Sequence, residues 1–218
     1  MNLKKLFELQ RQLDEHIEKE HPRQPGEDRL AKKILALQVE LGELAQEWRG
    51  FKFWSNDQEP RTKVEVICST CDGSGDENWP SSREYLLEGQ TGLEYSKCED
   101  CNGTGTLGYK NPLLEEYVDC LHFILSIGNE INMNEVYEDS STKPVYLDDV
   151  IYQFMFVNQD ICSLYYNRHN DDINGDIYDL IFSGFLGLGE MLGFSWEEVE
   201  EAYLRKNREN HQRQESGY

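Results

Sequence analysis

Glu40 and Glu43 stand three apart in Val39-Glu40-Leu41-Gly42-Glu43-Leu44, and Glu116 and Asp119 repeat that spacing in Glu116-Tyr117-Val118-Asp119-Cys120-Leu121-His122-Phe123. Residues three apart share one face of an α-helix. Apolar residues surround both pairs, so each helix would carry its carboxylates inward. Four buried like charges repel one another and lose hydration unless a cation sits among them. Oxygen-only ligands suit a hard cation such as Mg²⁺, which usually also takes phosphate oxygens from a substrate. Taken alone, the first pair is equally a solvated helix face, because acidic residues abound in this chain. Its recurrence inside the apolar run Tyr117, Val118, Leu121, Phe123 favours the metal site.

A second chemistry lies between the two pairs. Cys68-Ser69-Thr70-Cys71-Asp72-Gly73-Ser74-Gly75 and Cys98-Glu99-Asp100-Cys101-Asn102-Gly103-Thr104-Gly105 are two copies of Cys-x-x-Cys-x-Gly-x-Gly. Cys68, Cys71, Cys98 and Cys101 supply four thiolates, the set that structural zinc favours, with no position left open for catalysis. The glycines let the backbone turn tightly so that amides can face the sulfurs. Two disulfides or a redox pair are the alternatives, and a reducing compartment disfavours both. Over these eight-residue units alone, the pattern resembles the zinc knuckles of DnaJ-type chaperones. Cys120 and Cys162 lie in apolar helical settings and read as ordinary core or interface residues.

A third set lies near the C-terminus. Lys206, Asn210 and Arg213 fall at i, i+4 and i+7, one face of a helix in an otherwise acidic protein. Such a face can hold phosphate oxygens, with Arg offering paired donors. The simpler alternative is a basic helix end that complements the helix dipole.

The 218 residues carry 42 acidic and 21 basic side chains, a net charge of -21. That charge argues against general nucleic-acid binding and against anionic membranes. No apolar run is long enough to span a bilayer. The N-terminus opens an amphipathic helix without the apolar core of a signal peptide, so a reducing cytosol is expected.

The elements that must position these residues are mostly helices. Apolar periodicity predicts helices over 3–20, 29–49, 112–131, 147–166, 174–192 and from Trp196 to Gln212. The first carries a stripe of Leu3, Leu6, Phe7, Leu13 and Ile17; the second carries Ile34, Leu35, Leu37, Leu41 and Leu44. Asp28 suits the N-cap of the second helix, and Pro112 the first turn of the third. Ser195 with Glu198 forms a capping box for the last. A polar stretch with Ser140, Ser141 and Pro144 leads into the fourth. Residues 56–110, rich in Gly, Ser, Cys and Asp, break this pattern. The expected architecture is all-α: a helical bundle over 1–55 and 111–218, interrupted by a small zinc-ribbon-like hairpin over 56–110.

Glu40-x-x-Glu43, the aromatic Phe51-Lys52-Phe53-Trp54, Glu116-x-x-Asp119-x-x-His122-Phe123 and the tail from Tyr203 through Lys206, Asn210, Arg213 and Gly217 to Tyr218 together resemble the dimeric, all-α dUTPases. These belong to the superfamily of MazG-type nucleotide pyrophosphohydrolases. The resemblance implies that Glu40, Glu43, Glu116 and Asp119 hold two or three Mg²⁺ ions. It implies cleavage of dUTP, or dUDP, by water attack at the α-phosphorus, giving dUMP and, from dUTP, pyrophosphate. One glutamate of the first pair would take the proton from that water; Glu43 is preferred to Glu40, although spacing alone does not choose. Lys206, Asn210 and Arg213 would clamp the outer phosphates as a C-terminal part closes. Gln10 and its neighbours would contact uracil, with Trp54, His122 and Phe123 shaping the base and sugar pocket. Without the resemblance, His122 reads as a satisfied histidine near the core. A homodimer is implied too.

One position departs from the family pattern. Asp14 stands in Gln10-Arg11-Gln12-Leu13-Asp14 where parts of the family carry Asn. An amide donates and accepts, as uracil requires, whereas a carboxylate only accepts. The alternatives are therefore a pyrophosphohydrolase for dCTP or a modified deoxynucleotide, or a nucleotide-switched regulatory protein that docks a partner through its zinc segment.

Overall fold

The computed structural model describes residues 2–138 and 142–217, so Ser140, Ser141 and Tyr218 of the sequence patterns lie outside the described residues. The chain divides into two compact units, one of residues 1–60 and 113–218 and one of residues 61–112. The larger is helical: α1 (Leu3–Glu20), α2 (Arg29–Trp48), α4 (Pro112–Glu130), α5 (Val150–Asn167), α6 (Asp171–Met191) and α7 (Trp196–Glu215), with a 3-10 turn at Met133–Glu138. The smaller unit holds β1 (Val64–Ile67), the short α3 (Trp79–Leu87) and β2 (Thr106–Lys110).

Local signals set the helix starts. The Asp28 side chain accepts from Ala31 N at 2.9 Å and also holds Arg168 Nε at 2.8 Å, so one carboxylate caps α2 and ties it to the end of α5. Ser195 and Glu198 make both bonds of the capping box at α7, which satisfies amides that the first helical turn leaves without partners.

The core centres on α4 and α6. Along α6 every residue from 181 to 189 is buried, as expected of a helix enclosed on all sides. Tyr117 of α4 stacks on Phe185 with ring centroids 4.2 Å apart, and its hydroxyl donates to Phe185 O at 3.1 Å. Tyr178 of α6 donates to Ile124 O at 2.9 Å. α2 runs antiparallel to α5, since Trp48 meets Phe154, Gln38 Nε2 meets Cys162 Sγ at 3.1 Å, and Asp28 meets Arg168. α1 packs on α7, where His16 and His211 meet Nδ1 to Nδ1 at 2.8 Å. Leu35, expected on the apolar stripe of α2, is instead 61% exposed, with Val39 on the same side. The stripe needs only Ile34, Leu37, Leu41 and Leu44, which are buried at i, i+3, i+7 and i+10.

In the smaller unit β1 and β2 pair antiparallel, with Val64 opposite Lys110 and an irregularity between Glu65 and Ile67. The sequence pattern did not anticipate α3. It buries only Ser82, so no apolar stripe announces it.

Glycine permits the close contact between α4 and its neighbours. A Cβ on Gly128 would come 2.3 Å from Tyr178 Oη and 2.8 Å from Phe7, whereas one on Gly42 would meet nothing within 4 Å. Gly128→Ala is therefore expected to cost about 1–3 kcal/mol through overpacking. Gly42→Ala should be neutral or stabilising by up to about 1 kcal/mol. Urea unfolding of the two variants checks the contrast; equal stabilities would contradict the packing.

Candidate active site

Helical spacing brings the carboxylate pairs together as two facing sets. Ligand oxygens of Glu40 and Glu43 on α2 and Glu116 on α4 all lie within 4.8 Å of one another. Asp119, the fourth expected ligand, is not in that set; its Oδ2 accepts from Lys206 Nζ at 2.6 Å, and its charge still acts on Glu40 and Glu116. Lys206, expected to face phosphate, thus balances a carboxylate, and α7 is tied to α4 by that ion pair.

The electrostatics follow from this crowding. Burial, then the charges of Asp119 and Glu43, push Glu40 up to about 7. Glu116 is pushed up to about 7 by burial and by Asp119, Glu43 and Glu40. Asp119 is raised by burial while Lys206 opposes the rise. Glu40 and Glu116, two partly buried carboxylates that hold protons for want of nearby positive charge, fit a hard divalent cation, which supplies that charge and takes oxygen ligands.

A cavity of about 900 Å³ adjoins this cluster. Gln10, Asp14, Glu40, Asp119, His122, Phe123, Lys206, Asn210 and Arg213 all line it, so nine of the residues singled out from the sequence border one space. Lys206, Asn210 and Arg213 are presented by consecutive turns of α7, with Arg213 Nη2 also bonded to Glu209 Oε1 at 2.6 Å. Trp54 is not among the lining residues. It sits on the turn after α2, 65% exposed, against the edges of Phe51 and Phe53.

The inner wall of the cavity is a polar network. Gln10, 3% exposed, donates from Nε2 to Asp14 Oδ1 at 2.9 Å; its Oε1 lies 2.9 Å from the Tyr203 hydroxyl and 2.7 Å from His122 Nδ1. Ser126 Oγ donates to Asp14 Oδ1 at 2.8 Å. His122 stacks on Tyr203 with centroids 4.2 Å apart, and burial holds its pKa down at about 3. Burial raises Asp14, with Lys33 opposing. Lys33 and Ser126 were not singled out from the sequence. Lys33 stands seven residues before Glu40, and Ser126 seven after Asp119, so each shares a helix face with a metal-candidate carboxylate. That periodicity was the available signal.

The cysteine copies form a separate, internally symmetric centre in the smaller unit. Cys68 Sγ lies 3.8 Å from Cys98 Sγ, and Cys71 Sγ lies 3.7 Å from Cys101 Sγ. A disulfide needs about 2 Å. Tetrahedral coordination with bonds of about 2.3 Å places its ligands about 3.8 Å apart. Each copy repeats the other's contacts. Gly75 N donates to Cys71 Sγ and Gly105 N to Cys101 Sγ, both at 3.2 Å. Across the copies Cys68 N donates to Gly105 O, and Cys98 N to Gly75 O. Gly75 and Gly105 have φ of 77° and 80°. A Cβ on either would strike the other copy's backbone, at 2.3 and 2.2 Å, so only glycine fits.

A cation held by this cluster would bind with a pH dependence set by the raised glutamates. A cation needs Glu40 and Glu116 ionised, and below about 7 protons compete for the same oxygens. Mg²⁺ affinity should therefore rise as pH rises to about 7 and then level, changing about tenfold per pH unit for each competing proton below that point. Calorimetric Mg²⁺ titration across this range, in buffers of different ionisation enthalpy, reads both the trend and the released protons. A flat affinity would contradict the linkage.

The family comparison agrees with this arrangement. A family model described as dUTPase matches residues 2–72 and 106–218, most of the chain. No curated protein and no solved structure shows a match. The match spans the α2 and α4 carboxylates, the cavity residues and the α7 basic face, and on that basis this chain belongs to the all-α dUTPase family, the dUTP diphosphatases.

Proposed function

We propose that the carboxylate cluster and its cavity form a Mg²⁺-dependent centre that hydrolyses dUTP to dUMP and pyrophosphate. The observation that carries this is the convergence of Glu40, Glu43 and Glu116 within 4.8 Å, next to a cavity bordered by Lys206, Asn210 and Arg213. Glu40, Glu43, Glu116 and Asp119 would hold the Mg²⁺ ions, which would supply charge against the phosphates and lower the pKa of a bound water. Glu43 takes the proton from the attacking water. Asn210 and Arg213 bind the outer phosphates. Lys206 gains a second anionic partner beside Asp119 when the triphosphate enters. Pyrophosphate release from dUTP, dCTP, dTTP and UTP in the presence of Mg²⁺ tests the activity, with dUTP expected to lead. Glu43→Gln is expected to lower kcat about 10²–10⁴-fold while unfolding stays unchanged, because Glu43 is exposed. Near-normal turnover by that variant would remove the general-base assignment.

One observation favours a second reading of the base. Asp14 Oδ2 is a buried acceptor without a hydrogen-bond partner, and the amino group of cytosine is a donor. A preference for dCTP in the same assay would select it.

We also assign one structural Zn²⁺ to Cys68, Cys71, Cys98 and Cys101, supported by the 3.7 and 3.8 Å sulfur separations. The domain reading is a pyrophosphohydrolase bundle interrupted by this zinc-binding segment. A thiolate centre of this kind suits a reducing cytosol. Metal analysis is expected to find about one zinc per chain, and chelation to unfold the segment. A metal-free preparation of unchanged stability would defeat the assignment. A homodimer is part of the proposal: Ile151, Tyr152 and Met155 give α5 an exposed apolar face to cover.

A further inference from the structure

Two buried acceptor atoms in the cavity wall lack a hydrogen-bond partner among the described residues: Asp14 Oδ2 and His122 Nε2. The bonds around them decide what His122 can do. A carboxylate only accepts. The end of Gln10 that faces Asp14 Oδ1 at 2.9 Å must therefore be the amide NH₂. The carbonyl end then faces His122 Nδ1 at 2.7 Å, so Nδ1 must carry the ring proton. Nε2 is left as a bare lone pair. Burial keeps the ring neutral near physiological pH, so Nε2 gains no proton of its own.

Helix α4 measures the distance from this atom to the carboxylates. His122 lies three residues beyond Asp119, and Ser126, which bonds Asp14, lies seven beyond. At about 1.5 Å of rise per residue these are about 4.5 and about 10 Å. A nucleotide laid along α4 with its phosphates at the carboxylates would bring its sugar level with His122 and its base level with Asp14, which lines the same cavity. The sugar and base of dUTP, whose 5′-oxygen is esterified, offer two donors, the 3′-hydroxyl and N3–H, against two unmet acceptors.

We propose that Asp14 and Gln10 form a positioning relay that holds His122 in its Nδ1–H tautomer, so that Nε2 accepts the 3′-hydroxyl of the substrate sugar. The Gln10 carbonyl is filled by His122 and Tyr203 and one of its amide protons by Asp14, so at most one N–H is left for a base carbonyl. Asp14 Oδ2 is left for N3–H, and Lys33 Nζ, 3.9 Å from that oxygen, can donate to the neighbouring carbonyl. The sugar assignment rests on the dUTP reading above; the tautomer does not.

Nitrogen NMR of the assigned His122 ring in the full-length protein reads the tautomer without turnover. Wild type should show a protonated Nδ1 and a pyridine-type Nε2. Gln10→Met, similar in shape but without the acceptor, should revert to the ordinary Nε2–H form. In kinetics, wild type should favour dUTP over its 2′,3′-dideoxy analogue about tenfold in kcat/KM, the worth of one hydrogen bond. In Gln10→Met that preference should fall to about twofold or less, mostly through KM. An Nε2–H tautomer in wild type overturns the relay whatever the activity. A preserved tenfold preference in Gln10→Met overturns the hydroxyl assignment. Absence of dUTP hydrolysis by wild type overturns the activity and the hydroxyl assignment together, while the NMR result still decides the relay.

Discussion

Repulsion among carboxylates is the constraint around which the helical unit is built. Glu40, Glu43 and Glu116 converge from two helices into a partly buried cluster, and Lys206, paired with Asp119, brings positive charge beside it. Such a cluster is unfavourable on its own account, and the packing of the helices must hold it against that repulsion. The enclosed α4–α6 contact does so. Tyr117 and Tyr178 each anchor a ring in the core and a hydroxyl on the facing helix's backbone. The strain of the site is thus borne by apolar packing one helix face away, the division of labour expected when a functional cluster sits on rigid elements.

The same helix that carries the metal-candidate pair also orders the rest of the cavity. Glu116 and Asp119, then His122 and Phe123, then Ser126 follow one another along α4, so the carboxylates of the cluster give way to uncharged residues, the last of which meets Asp14 and Lys33. Gln10 is the hinge of that polar wall. It appears on α1 as a polar residue within an apolar stripe, and its burial is tolerable because Asp14, His122 and Tyr203 all bond its amide. An acidic chain of net charge -21 meets an anionic substrate through this local arrangement, with basic residues gathered on one face of α7.

The cysteine unit shows a different economy. Its two eight-residue copies reproduce each other's turns, sulfur contacts and glycine conformations, and each copy's backbone closes the other's. A short segment with two brief strands and one weakly amphipathic helix has little apolar core of its own, and four buried cysteines take the place of one.

Local geometry made much of this legible in the chain itself. The i,i+3 carboxylates, the Ser195–Glu198 box, the Asp28 cap and the paired Cys-x-x-Cys-x-Gly-x-Gly copies are all patterns within a few residues, and helix and turn geometry convert such spacing directly into shared faces. The helices of the larger unit were equally plain, because burial of one stripe imposes a 3.6-residue period, whereas α3, which buries only Ser82, carried no such signal. What tertiary structure alone decided were contacts between positions far apart. Lys206 pairs with Asp119 across 87 residues, Gln10 meets His122 across 112 and Tyr203 across 193, and Trp54 lies away from the cavity wall. No local spacing encodes which polar group a buried amide will find. That choice is made when helices pack, because a buried donor or acceptor must pair with whatever the fold brings to it.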